Sequence, residues 1–265
     1  MEIQEMVCKT ALSVSTLPGL KYSLNPYRGC MHACAYCYAP NVLRIPREYW
    51  GECIGVKTNI PAILAKELKT KKPGVVGIST VTDPYQPLEK NYSLTRFCLE
   101  QLVSHDFPAH IQTKSALVTR DIDIISRFSD AQVMMSIGTM NDQERRLLEP
   151  FTSPIPDRLA ALRKLSDAGV KTAIFFGPVY PTITLGDIPS IIERFKESGA
   201  SEIWIDRLNS KPGIWENISM RLSHHPEMYQ VFSRNVWEDT DYYQSIRKEI
   251  HQRGKERNLT IIDAF

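Results

Sequence analysis

The chain has 265 residues, 43% of them hydrophobic and 23% charged, with a formal net charge of +2. That is an ordinary globular composition for one α/β domain, neither disordered nor membrane-like. The small net charge gives no argument for nucleic acid or an acidic membrane surface, and no apolar run approaches the roughly 20 residues of a membrane span.

The opening MEIQEMVCKTALSVSTLPG carries Glu2 and Glu5 and no long apolar core, so it does not read as a secretion signal, and a cytoplasmic protein is expected. Six cysteines in such a setting point to metal or redox work rather than disulfides. A short strand is expected before the cysteine-rich stretch NPYRGCMHACAYCYAP (25–40), and NIPAILAKELKTKKPG supplies the first helix. GVVGIST (74–80) is a β-rich run; SLTRFCLEQLVSH (93–105) follows with helical spacing and Leu94, Phe97, Cys98 and Leu102 on one face. HIQTKS reads as a strand, TRDIDIISRFS as a helix and AQVMMSIGT as a buried strand. PDRLAALRKLSDAG is amphipathic, with Leu159, Leu162 and Leu165 inward and Gly169 as its stop. VKTAIFFGPVYP is a strand, DIPSIIERFKESGA a helix with Pro189 in its first turn, and EIWIDRL the next strand. Residues 209–239 show little clean periodicity and read as an extension over the mouth of the sheet, before a last helix from about Asp241.

Strand and helix thus alternate about every 30–35 residues, which builds a parallel sheet. Six βα units can be counted, short of the eight of a full barrel. The expected fold class is α/β, a partial (β/α)6 TIM-like barrel, with residues 1–265 as one domain and 209–265 as a C-terminal extension packing on it. Active sites of such folds lie at the carboxyl ends of the strands. The cysteine loop, TDPYQP (82–87), TKS (113–115), Ser136 with Gly138, and GPVYP (177–181) all fall there.

Cys30, Cys34 and Cys37 have the spacing C-x3-C-x2-C, with no second pair. Structural zinc wants four ligands, usually in two pairs, and a tetrahedron completed by His32 would be cramped. A 4Fe–4S cluster is larger, and four thiolates are usual; three leave one iron open for a ligand that reacts. A zinc or non-catalytic iron–sulfur module stays as the alternative. Cys98 reads as core, Cys8 as uninformative and Cys53 as a hydrogen donor or a bland thiol; His224–His225, Trp215, Trp237 and Arg28 carry structural and functional readings alike.

With Tyr36 directly before the third cysteine, the loop resembles the signature of the radical S-adenosylmethionine (radical SAM) superfamily. TDPYQPLE, LTRFCLEQL, TKSALVTRDIDII, SIGTMNDQERRLLEP, SPIPDRLAALRKLSDAGVKT and GPVYP extend the resemblance, over roughly Lys21 to Asp206, to the spore photoproduct lyase-related group, often labelled DNA-repair-photolyase-like. The resemblance implies a 4Fe–4S cluster on Cys30, Cys34 and Cys37 whose fourth iron chelates S-adenosylmethionine. Reductive cleavage of its C5′–S bond gives a 5′-deoxyadenosyl radical that takes a hydrogen atom from a substrate. It implies further that Tyr36 packs near the adenine, Thr82 and Asp83 meet the methionine amine, and Lys114 and Ser136 contact the same cofactor. Tyr38 matches a tyrosine of the lyase's hydrogen relay, but Val81 stands where the lyase has its hydrogen-returning cysteine. An external donor such as flavodoxin or ferredoxin would supply the electron. The lyase-like relatives point to a nucleic acid or nucleotide substrate, with a peptide or small metabolite as alternatives.

Overall fold

The computed structural model describes residues 1–209 and 211–264. In chain order the strands are β1 (Glu2–Met6), β2 (Leu12–Val14), β3 (Tyr22–Leu24), β4 (Tyr27–Arg28), β5 (Cys53–Lys57), β6 (Val76–Ile78), β7 (Ala109–Thr113), β8 (Ala131–Ser136), β9 (Lys171–Phe176), β10 (Glu202–Ile205) and β11 (Thr260–Asp263). Eight of them form one sheet in the order β11-β10-β9-β8-β7-β6-β3-β2. Every pairing from β3 to β11 is parallel, and β2 adds antiparallel to β3. The sheet remains open, with β2 and β11 at its edges, as a partial barrel requires.

The six expected strands are β3, β6, β7, β8, β9 and β10. Their runs of Val, Ile, Met and Phe are buried because helices cover a parallel sheet. A seventh parallel strand, β11, extends the row. It is only four residues long and mostly half-buried, and its pairing with β10 (Ile203 opposite Ile261) lies far away in sequence. A second sheet, β1-β5-β4, brackets the cysteine loop, which leaves β4 and returns into β5.

The helix Ile155–Asp167 buries Ile155, Arg158, Ala161, Leu162 and Leu165, with Leu159 at the margin. Ile188–Glu197 buries Ile188, Ile191, Ile192 and Phe195. The helix Leu94–Ser104 is turned relative to expectation: Leu94, Cys98, Leu99 and Leu102 face the core, while Phe97 is 46% exposed. Leu99, one residue from Cys98, completes the i, i+3, i+4 stripe that Phe97 would have widened. Residues 209–239 fold into the helices Ile214–Arg221 and Pro226–Ser233 followed by a π-turn, Arg234–Glu238. The last helix, Tyr242–Glu256, packs on Ile188–Glu197, and the Tyr242 hydroxyl donates to the carbonyls of Tyr180 (3.0 Å) and Ile183 (2.9 Å) after β9. Among the described residues no helix is long and apolar enough to cross a membrane.

Phe195 is fully buried edge-on to Phe176, with ring centroids 5.3 Å apart. Phe195→Ala is expected to lower the unfolding free energy by about 3–5 kcal/mol through lost contact and a residual cavity. Phe97→Ala should change it by less than about 0.5 kcal/mol. Urea unfolding of both variants checks the helix orientation.

Candidate metal centre and its pocket

Two glycines close the cysteine loop against its surroundings. Gly29 sits at φ +86°, and a Cβ there would lie 2.6 Å from the Cys53 carbonyl; Gly51 sits at φ +92°, and its Cβ would lie 2.6 Å from that of Ala33. Only glycine takes such a backbone without strain and also allows so close an approach. Buried polar groups hold the rest of the loop. The Gln86 side-chain oxygen accepts from Met31 N–H (2.8 Å), Thr82 Oγ1 donates to Gly29 O (2.5 Å), and Ala35 N–H donates to Leu148 O (2.8 Å). Asn217, on the helix Ile214–Arg221, donates to Ala35 O (2.8 Å).

The loop and the carboxyl ends of β6 to β10 enclose a cavity of about 410 Å³. All nine residues singled out in the sequence line it: Cys30, Cys34, Cys37, Tyr36, Tyr38, Thr82, Asp83, Lys114 and Ser136. Val81 lines it too; Cys8, Cys53 and Cys98 do not, and Cys98 is core. His225 lies in a separate surface hollow beside Glu144, and Trp215 packs between Tyr229 and Trp237 on the C-terminal helices. Arg28 donates to Leu43 O (3.0 Å).

The partners of these residues divide them into two groups. Asp83 is committed to the chain itself. It accepts from the Thr113 hydroxyl (2.7 Å), Lys114 N–H (2.8 Å) and Tyr85 N–H (2.8 Å), and lies 3.3 Å from His32 Nδ1. Burial works against its charge, but His32 and these donors outweigh it and hold the carboxyl down at about 2. Thr82 spends its hydroxyl on Gly29 and accepts from Gln86 Nε2 (3.1 Å). Tyr36 donates to Glu149, which also pairs with the fully buried Arg158, and Arg158 donates to Ser136 O (2.8 Å). Ser136 Oγ accepts from Gln112 (3.2 Å). A buried Arg–Glu pair persists only when its remaining polar atoms are satisfied, as they are here. The sequence reading missed Glu149 and Arg158, for they lie nine residues apart and meet only once their helices fold back under the loop.

The second group faces the cavity with capacity to spare. The Lys114 ammonium lies 5.7 Å from the Tyr36 ring centre. Burial disfavours its charge, yet Cys34 in its thiolate form and the Glu149 carboxylate outweigh this and raise its pKa. Two buried polar atoms around the cavity, Trp50 Nε1 and Ser79 Oγ, have no hydrogen-bond partner among the described residues. Ser79 also holds a left-handed backbone (φ +63°), unusual away from glycine. Tyr38 is 45% exposed, and its hydroxyl donates to Thr80 O at 2.5 Å.

These features suit a metal cluster and a polar ligand beside it. Burial raises the pKa of the Cys34 and Cys37 thiols, so without metal they stay protonated; a metal would take them as thiolates and release their protons. Among the described residues, no three His, Cys, Asp or Glu side chains converge as ligands for a single metal ion. Three thiols spread around one cavity suit a larger multi-iron group better than zinc.

The Asp83–His32 pair has a pH signature in the metal-free protein. Asp83 is held below its ordinary 3.8, so its contribution is full above that pH and is lost as pH falls through about 2. For His32, burial opposes the charge, but Asp83 and Cys30 raise it from 6.5 to about 9, so its contribution is full below 6.5 and lost as pH rises through 9. Asp83→Asn should cost about 3–5 kcal/mol near pH 5, and less at pH 9.5, when denaturant midpoints are followed across pH.

Residues 24–195 match the model of the radical SAM superfamily. An uncharacterized protein of Methanocaldococcus jannaschii is 31% identical over 238 residues, covering 89% of this chain and 88% of that protein. A radical SAM Nalpha-GlyT isomerase of Pseudomonas phage M6 is 26% identical, over 78% of this chain and 44% of its own. Spore photoproduct lyase complexed with dinucleoside spore photoproduct superposes with a TM-score of 0.72 at 17% identity, covering 99% of this chain and 82% of the lyase. A variant of that lyase with bound AdoMet and the same dinucleoside has a TM-score of 0.69. The chain belongs to the radical SAM superfamily, whose members use a 4Fe–4S cluster and S-adenosylmethionine.

Proposed function

We propose that Cys30, Cys34 and Cys37 hold the cluster, and that the cavity beside them takes S-adenosylmethionine and one end of a nucleic acid or nucleotide substrate. The observation that carries the reading is the meeting of the three thiols, the half-buried Lys114 ammonium and the unpartnered Ser79 hydroxyl in one cavity at the strand ends. Bound there, the cluster and S-adenosylmethionine supply a 5′-deoxyadenosyl radical. The chain's own residues bind, orient and exclude water.

Lys114 is suited to the methionine carboxylate, since its charge stays on despite burial. Tyr36 offers an apolar ring edge but commits its hydroxyl to Glu149. Thr82 and Asp83 were expected to meet the methionine amine. Their hydrogen bonds are already made within the chain, so they act by shaping the turn, and Ser79 is the better candidate for direct contact. Ser136 lends its hydroxyl to Gln112 and its carbonyl to Arg158, and so sets the wall of the cavity. Val81 cannot return a hydrogen atom as a thiol does. Tyr38 is the cavity-lining residue with an exchangeable O–H at the solvent side, and we assign it the relay role.

The nucleotide reading draws on the lyase, solved with a dinucleoside on the same fold. The electron is assigned to a flavodoxin or ferredoxin, and a reducing cytoplasm is the compartment consistent with six free thiols. The whole chain serves as one unit, with residues 209–265 as a C-terminal extension on the barrel, whose helix Ile214–Arg221 reaches the cysteine loop through Asn217.

Anaerobically reconstituted protein should release 5′-deoxyadenosine under reducing conditions, and any one of Cys30→Ala, Cys34→Ala or Cys37→Ala should abolish it. Lys114→Ala should keep its iron and weaken S-adenosylmethionine binding at least tenfold, about 1.4 kcal/mol. Oligonucleotides should accelerate 5′-deoxyadenosine release where peptides do not; the reverse order would favour the peptide alternative.

A further inference from the structure

We propose that the indole N–H of Trp50 donates a hydrogen bond to a sulfur of the cluster and thereby raises its reduction potential. The inference rests on the cluster assignment above and adds to it a residue outside the three-cysteine motif. Trp50 is 8% exposed and packs against Cys30 and Ala39, with Cys37 and Val81 at the edge of the same small apolar group. It is the only tryptophan among the described residues lining the cavity. Its Nε1 is buried and without a partner among the described residues.

A buried donor left unpaired is destabilising, and native proteins keep few of them. An indole N–H can only donate, so its missing partner must be an acceptor. The backbone on either side of the ring is tied to the cysteine loop. Trp50 closes the turn Arg47–Tyr49 by donating its backbone N–H to Arg47 O (3.0 Å), and Arg47 in turn donates to Cys37 O (3.1 Å). Gly51 then lets the following backbone press against Ala33. Of the two unpartnered atoms, Trp50 Nε1 belongs to the side chain grouped with Cys30, with Cys37 at the edge of the same group. Sulfur held as thiolate or sulfide is an electron-rich acceptor. A donor to it stabilises the more negative, reduced state, so the potential rises, and hydrogen bonds to sulfur are among the main controls on it.

Two measurements test this. In an EPR-monitored redox titration, Trp50→Phe with a full iron complement should titrate at a more negative midpoint than wild type. In the reduced wild-type protein carrying ¹⁵N-indole tryptophan, electron–nuclear double resonance should show a ¹⁵N and an exchangeable-proton coupling to the cluster. An iron-replete Trp50→Phe with an unmoved or more positive midpoint overturns the proposal alone, as does a labelled wild type without the coupling. The latter decides the matter even if Trp50→Phe fails to hold iron. A wild type that binds no iron overturns the cluster assignment and this inference with it.

Discussion

Two buried carboxylates, Asp83 and Glu149, govern the site. Each is charged, each is nearly inaccessible, and a charge in such a place persists only with partners. Asp83 joins the turn after β6, the end of β7 and the histidine of the cysteine loop. Glu149 joins Tyr36 of that loop to Arg158, which in turn braces the end of β8. The loop is thereby held at two points by groups that tolerate little displacement. Three thiols on a free loop would be mobile; here they line one cavity whose walls the two carboxylates brace.

The same commitments divide the polar residues by role. Side chains engaged with their own chain set positions, and those with unused hydrogen-bonding capacity are available to a ligand. Thr82, Asp83 and Ser136 belong mainly to the first class. Lys114, Ser79 and Trp50 belong to the second. A residue can stand at a ligand-facing position in the sequence and still be unavailable to the ligand. Only the partners reveal which.

Much of the architecture was legible in the sequence because its signals are local. The apolar runs of β6 to β10, the stop at Gly169 and the helix start at Pro189 each lie within a few residues of what they determine. The cysteine loop was legible through its spacing. β11 and the β1-β5-β4 sheet were not, for they are short and defined by pairings such as Ile203 with Ile261 and Glu2 with Cys53. Phe97 was misplaced because hydrophobicity alone cannot choose between two stripes that differ by a small rotation of one helix. Trp50 was passed over because nothing in its neighbourhood announces that its N–H is buried without a partner in the group that holds Cys30.

Val81 lines the cavity beside the three cysteines assigned to metal. What the account cannot do without is one iron with no protein ligand. Mössbauer spectroscopy of ⁵⁷Fe-reconstituted protein, with and without S-adenosylmethionine, tests that directly. The account predicts a 4Fe–4S signal in which one iron site alone changes when S-adenosylmethionine is added. A cluster whose four sites are all indifferent to it, or a protein that takes up zinc in place of iron, would contradict the account.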